Sequence, residues 1–213
     1  MIEAILDIAT RDGAMETFVV RPERGGPYPP VLFLMDAPGI REELYDMARR
    51  LASVGYFVVL PNLYYRAGRD TKYMIAWLDA RDDVKKGPVG IHGYCMSGPY
   101  ALAAAARYPD RIAAAASFYG TWLVSDNEES PHLTLGQAKG ELYISCAEHD
   151  DLAPPDMVAE LKKLFDASGA RGELEIHPGV HHGFAFPQRW CYDRPAAERH
   201  WERLIALYRR NLG

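Results

Sequence analysis

Short, nearly continuous apolar runs alternate with amphipathic stretches along most of this chain, and that alternation most constrains its fold. Residues 30–35 (Pro-Val-Leu-Phe-Leu-Met) and 56–60 (Tyr-Phe-Val-Val-Leu) are built almost wholly from apolar side chains, as in strands buried on both faces of a parallel sheet. Between them, residues 42–54 place Leu44, Met47, Ala48 and Leu51 at helical spacing, and Gly55 closes the segment. The same logic reads strands at 89–93, 112–119, 141–147 and 173–177, and helices at 70–82, 96–107, 155–168 and 193–210. Residues 2–10 and 15–21 alternate at period two around Asp12-Gly13, which suggests an antiparallel hairpin. The expectation is one α/β domain over residues 1–213. It has a mostly parallel central sheet, an N-terminal antiparallel hairpin and helices on both faces.

In sheets of this kind the reacting groups collect in loops beyond the C-terminal strand edge. Gly93-Tyr94-Cys95-Met96-Ser97-Gly98 falls at a strand-to-helix corner, and a reactive-type residue among small ones at such a corner reads as a nucleophile elbow. Glu148-His149-Asp150-Asp151 follows the strand at 141–147, and His181-His182-Gly183-Phe184 comes shortly after the strand at 173–177. A thiol, a carboxylate and an imidazole thus sit at three strand ends, in the nucleophile–acid–base order of α/β-hydrolases. A thiolate attacks where a thiol does not. An imidazole can take the proton and return it to the leaving group, and a carboxylate behind it fixes its tautomer. The backbone N–H groups of Met96 and Ala37 are candidate oxyanion donors.

These residues resemble the dienelactone hydrolase family over nearly the whole chain. The resemblance rests on Gly93-Tyr94-Cys95-Met96, on Glu148-His149-Asp150 followed by Pro154, and on His182-Gly183-Phe184. It implies an α/β-hydrolase-like fold and hydrolysis of an ester or lactone. It also implies Cys95 as nucleophile, Asp150 as acid and His182 as base. Three departures stand out: Ser97 replaces the second elbow glycine, Asp36 stands where the type enzyme has a thiol-adjacent glutamate, and Phe186 replaces an arginine that binds substrate carboxylate. Arg66 or Arg69 is a candidate replacement for a substrate-binding arginine. Tyr64, Tyr65, Trp122, Phe184 and Phe186 suggest a more apolar substrate.

Two other readings compete with the thiol hydrolase: a serine esterase using Ser97, and a non-catalytic binding module on a hydrolase scaffold. The net charge of -5 over 213 residues provides no basic field for nucleic acid. No apolar run is long enough to span a membrane, and Met1-Ile2-Glu3-Ala4 lacks signal-peptide character. A cytoplasmic location, a small-molecule substrate and a monomer or small homo-oligomer are therefore expected. Cys95, Cys146 and Cys191 are scattered and suggest no disulfide framework. Cys146, inside an apolar strand, reads as inert core. His177 and His181 are four apart, but a strand-to-loop segment would not put them on one face as a helix does. Neither a metal nor a cofactor is expected.

Overall fold

The computed structural model describes residues 1–65 and 71–213. Eight strands form one sheet: β1 (Ile2–Thr10), β2 (Gly13–Arg21), β3 (Pro30–Leu34), β4 (Phe57–Pro61), β5 (Val89–Tyr94), β6 (Ile112–Phe118), β7 (Glu141–His149) and β8 (Gly172–His181). Their spatial order is β1-β2-β4-β3-β5-β6-β7-β8. β1 and β2 pair antiparallel, β2 pairs antiparallel with β4, and every later neighbour is parallel. The hairpin differs from expectation in its turn. Thr10 pairs with Gly13, so Arg11 and Asp12 make the two-residue connection and Gly13 opens β2.

β3, β4 and β5 are buried at every position, which is why their sequence is apolar without alternation. Two layers of helices cover them. α1 (Glu42–Ser53) and α5 (Arg194–Leu212) pack on one face, with Leu44, Met47 and Leu51 meeting the same core as Trp201, Leu204 and Tyr208. α2 (Thr71–Asp79), α3 (Gly98–Arg107) and α4 (Pro155–Ser168) pack on the other through Leu78, Leu102, Leu161 and Phe165. The Asp193 carboxylate accepts from the Ala196 N–H at 2.9 Å and starts α5 with Pro195 in its first turn. Gly169, at φ +72°, ends α4 in the left-handed conformation.

Several boundaries moved. β7 runs on to His149 and β8 to His181, because those two residues still pair with each other after a register shift. The elbow interposes a short 3-10 turn, Cys95–Ser97, before α3 starts at Gly98. A further 3-10 segment, Pro131–Gln137, has no periodic sequence signal.

Candidate active site

Parallel pairing places the C-terminal ends of β3, β5, β6, β7 and β8 along one edge, with neighbouring strands about 4.8 Å apart. Each site residue comes from one of these ends. Cys95 follows β5 at φ +54°, a left-handed conformation that costs a non-glycine residue about 1–2 kcal/mol. A sharp turn of this kind is what presents a side chain at the tip of an elbow. The turn depends on Gly93, where a Cβ would collide with the carbonyl of Ser97.

Ser97 is fully buried, which explains why serine is accepted at the second glycine position. Its Oγ accepts from the Tyr94 N–H at 2.9 Å and lies 3.1 Å from the carbonyls of Leu34 and Tyr94. It staples the elbow to β3. With its hydroxyl spent on main chain, the geometry does not offer Ser97 as a nucleophile.

His182 Nδ1 lies 2.7 Å from Asp150 Oδ2, and the Asp150 side chain is wholly buried. The other carboxylate oxygen, Oδ1, accepts from the N–H groups of Leu152 and Ala153 at 2.9 and 3.1 Å. Asp150 is therefore fixed before it meets the imidazole. His182 Nε2 is buried and makes no regular hydrogen bond. Burial pushes the imidazole pKa down, but the hydrogen bonds and charges of Asp150 and Cys95 outweigh it and raise the value to about 9. Imidazole and carboxylate thus form one hydrogen-bonded pair, with Cys95 near enough to act on the imidazole. The neighbouring His181 instead turns outward, its ring tilted against His149 at 5.0 Å and against Trp190 at 5.1 Å.

Asp36, after β3, is wholly buried but makes no hydrogen bond to Cys95. Arg41 reaches it at 2.6 Å and Arg189 at 2.5 Å. The two guanidiniums lie over the ring of Phe186 at 5.0 and 4.9 Å. Neither Arg41 nor Arg189 is legible as a site residue in the sequence. Arg189 is seven positions beyond His182, and its only signal is that it shares a loop with the base. Arg66 and Arg69 lie outside the described residues.

The aromatic residues expected around the substrate separate into three groups. Phe184 and Phe186 are completely buried in the core, so they are corrected from substrate contacts to packing. They fill the space under the loop that carries His182. Tyr65 is turned away, its hydroxyl 2.5 Å from Thr10 Oγ1 at the β1–β2 turn. Tyr64 and Trp122 are exposed, at 59% and 66%. Tyr64 donates to the Ala37 carbonyl and approaches Met96 Sδ at 3.7 Å, beside both candidate oxyanion donors. A residue not singled out by sequence is Tyr119, directly after β6. It is fully buried at φ +38°, its ring meets His182 edge-on at 5.1 Å, and its hydroxyl has no hydrogen-bond partner.

Cys146 is buried in β7, and burial, then the charge of Asp150, pushes its thiol up to about 12. Cys191 donates to the His182 carbonyl at 3.1 Å and helps hold that loop. Among the described residues no group of three or more His, Cys, Asp or Glu side chains is arranged to hold a metal ion. No described helix is long and apolar enough to cross a membrane.

The family model for the dienelactone hydrolase family matches residues 15–76 and 67–212. The chain is 24% identical to the "Putative carboxymethylenebutenolidase" of Methylorubrum extorquens, over 98% of this chain and 81% of that protein. It is 25% identical to the "Probable 2-oxo-3-(5-oxofuran-2-ylidene)propanoate lactonase" of Bradyrhizobium sp, over 97% and 94% of the two chains. Among solved structures, the "Putative Dienelactone Hydrolase" of Klebsiella pneumoniae subsp. pneumoniae superposes with a TM-score of 0.89 at 24% identity, covering 98% of each chain. Elbow, sheet and family match agree: the chain belongs to the dienelactone hydrolase family and is an α/β-hydrolase-fold hydrolase of that type.

Proposed function

We propose that this protein hydrolyses a small ester or lactone through Cys95, His182 and Asp150, by way of a thioester. The observation that carries the reading is the imidazole of His182. Asp150 holds it at Nδ1, which leaves Nε2 buried and without a hydrogen-bond partner, and Cys95 is near enough to help raise the imidazole pKa.

In this reading His182 Nε2 takes the Cys95 proton, and the thiolate attacks the carbonyl carbon. The negative charge that develops on the carbonyl oxygen is met by the N–H groups of Ala37 and Met96. Collapse expels the alcohol, which leaves with the proton held by His182; for a lactone the alcohol stays tethered to the acyl group. Water then attacks the thioester, His182 accepts its proton, and the acid departs as the thiol is restored. A thiolate also leaves well from the first adduct, so activated substrates (aryl esters and enol lactones) are favoured. The names of the butenolide and furanylidene lactonase relatives point to the same lactone chemistry.

The test is ester and enol-lactone hydrolysis before and after one equivalent of iodoacetamide, with intact-protein mass spectrometry. Loss of turnover with a single carbamidomethyl group on Cys95, and an acyl adduct on Cys95 during turnover, are expected. Full turnover by protein alkylated at Cys95 would sink the proposal.

A further inference from the structure

The two candidate oxyanion donors lie on separate segments: Ala37 after β3 and Met96 in the elbow. Their relative position depends on whatever ties those segments together. Strand pairing of β3 with β5 and the Ser97 bond to Leu34 tie them below the site, and Tyr64 adds a tie at the donors themselves. It stands in the short turn Leu63–Tyr65 after β4. Its hydroxyl donates to the carbonyl of Ala37 and lies 3.7 Å from Met96 Sδ. Its ring covers Gly39, where a Cβ would sit 3.4 Å from Cε2 and where φ is +85°. The loop over residues 36–39, whose Asp36 and Gly39 are held by Arg41, thus also packs against Tyr64.

Tyr64 is itself held in place. Its N–H donates to Asn62 Oδ1 at 3.1 Å, and the Asn62 N–H donates to the Glu16 carbonyl on β2 at 2.9 Å. A line of hydrogen bonds runs from the sheet through Asn62 and Tyr64 to Ala37. The ring is exposed, so core packing does not force the contact. Water competes for the hydroxyl, yet it is placed on one main-chain carbonyl at the mouth of the site.

We propose that Tyr64 is the positioning residue of the oxyanion hole, a strut that fixes the Ala37 peptide relative to Met96. This rests on the hydrolase reading of Cys95, His182 and Asp150. The carbonyl and N–H of Ala37 share one Cα, and Pro38 already restricts residue 37 to extended conformations. Fixing the carbonyl therefore fixes the aim of the N–H. Donors aimed beforehand stabilise an oxyanion without reorganising during attack. That charge exists only at the tetrahedral stage, so the strut acts on kcat and leaves KM alone.

The experiment compares wild type with Tyr64→Phe in three measurements. On an aryl acetate, kcat falls about tenfold, less than the 10²–10³ for deleting a donor outright, and KM changes less than about twofold. With a reversible aldehyde inhibitor, the Cys95 thiol adds across the C=O: the S–C bond forms and the thiol proton passes to the former carbonyl oxygen. The inhibition constant weakens as well, by a smaller factor than kcat, because the adduct's oxygen is a hydroxyl rather than an oxyanion. Alkylation of Cys95 by iodoacetamide, which has no oxyanion, keeps its rate. Unchanged kcat overturns the strut. So does a rise in KM alone, which marks Tyr64 as a substrate contact, or a parallel loss of alkylation rate, which marks a disturbed thiol. A wild type inactive on every ester fails the hydrolase reading instead, and the aldehyde ratio still decides the strut.

Discussion

Arg189 and Asp36 are 153 residues apart in the chain and 2.5 Å apart in the fold. Arg41 takes the other side of the same buried carboxylate, and Phe186 lies under both guanidiniums. Asp36→Asn leaves Arg189 short of an anion, while Arg41 keeps Glu43 at 2.7 Å, and is expected to cost about 3 kcal/mol in urea unfolding. Arg189→Met leaves Asp36 its Arg41 partner and costs less. Equal costs would show that Arg41 alone cannot hold the carboxylate.

Asp150 raises the pKa of His182 against the pull of burial. With a folded value of about 9 and an unfolded value near 6.5, the resulting stabilisation is fully present below pH 6.5 and fades as pH rises through about 9. Asp150→Asn removes the principal raising influence. The His182 ring resonance in NMR is expected to titrate far closer to 6.5 in that variant. Ester kcat should drop by roughly 10³–10⁴, as when the orienting acid of a triad is neutralised.

Ser97 staples the elbow through Tyr94 and Leu34. Ser97→Ala leaves the buried Tyr94 N–H without its side-chain acceptor, at about 1–3 kcal/mol, and lowers the melting temperature. Ester hydrolysis persists below that temperature, whereas Cys95→Ala abolishes it. Persistence of activity in Cys95→Ala but not in Ser97→Ala would return the nucleophile to serine.

Two buried histidines make the fold sensitive to acid. His92 Nδ1 pairs with the Tyr208 hydroxyl at 2.8 Å, and His200 Nε2 with the Tyr94 hydroxyl at 2.6 Å. Burial holds His200 down at about 3 and His92 well below 6.5. Both are neutral in the fold, while the unfolded chain takes up protons below about pH 6.5. Stability is therefore full above 6.5 and falls as pH drops towards 3. For His200 alone the loss by pH 5 is about 2 kcal/mol. Urea midpoints at pH 7 and pH 5 measure this, and His200→Gln reduces the difference by about 2 kcal/mol, leaving the part due to His92.

Much of this architecture is legible in the sequence, because burial on both faces writes β3, β4 and β5 as unbroken apolar runs. The segments that carry Cys95, Asp150 and His182 are legible for a related reason: each follows a strand within a few residues, and strand ends are fixed by local pattern, whereas the choice of Asp150 over Asp151 and of His182 over His181 comes from the family resemblance. Tyr119, Arg41 and Arg189 are not. Their importance comes from contacts made between different strand ends, for which spacing along the chain holds no signal. Phe184 and Phe186 face the core, and aromatic composition near a base does not tell which side of the loop does so.

The chain by itself determined the order of strands and helices, the elbow and the three chemistry-bearing strand ends, since these follow from local periodicity and short-range turns. Tertiary structure alone decided that Asp36 is neutralised by Arg41 and Arg189, that Ser97 is a staple and that Tyr64 joins Ala37 to Met96. The physical reason is reach: hydrogen bonds and ion pairs act over about 3 Å in space, and only the assembled sheet brings residues so far apart in sequence within that distance.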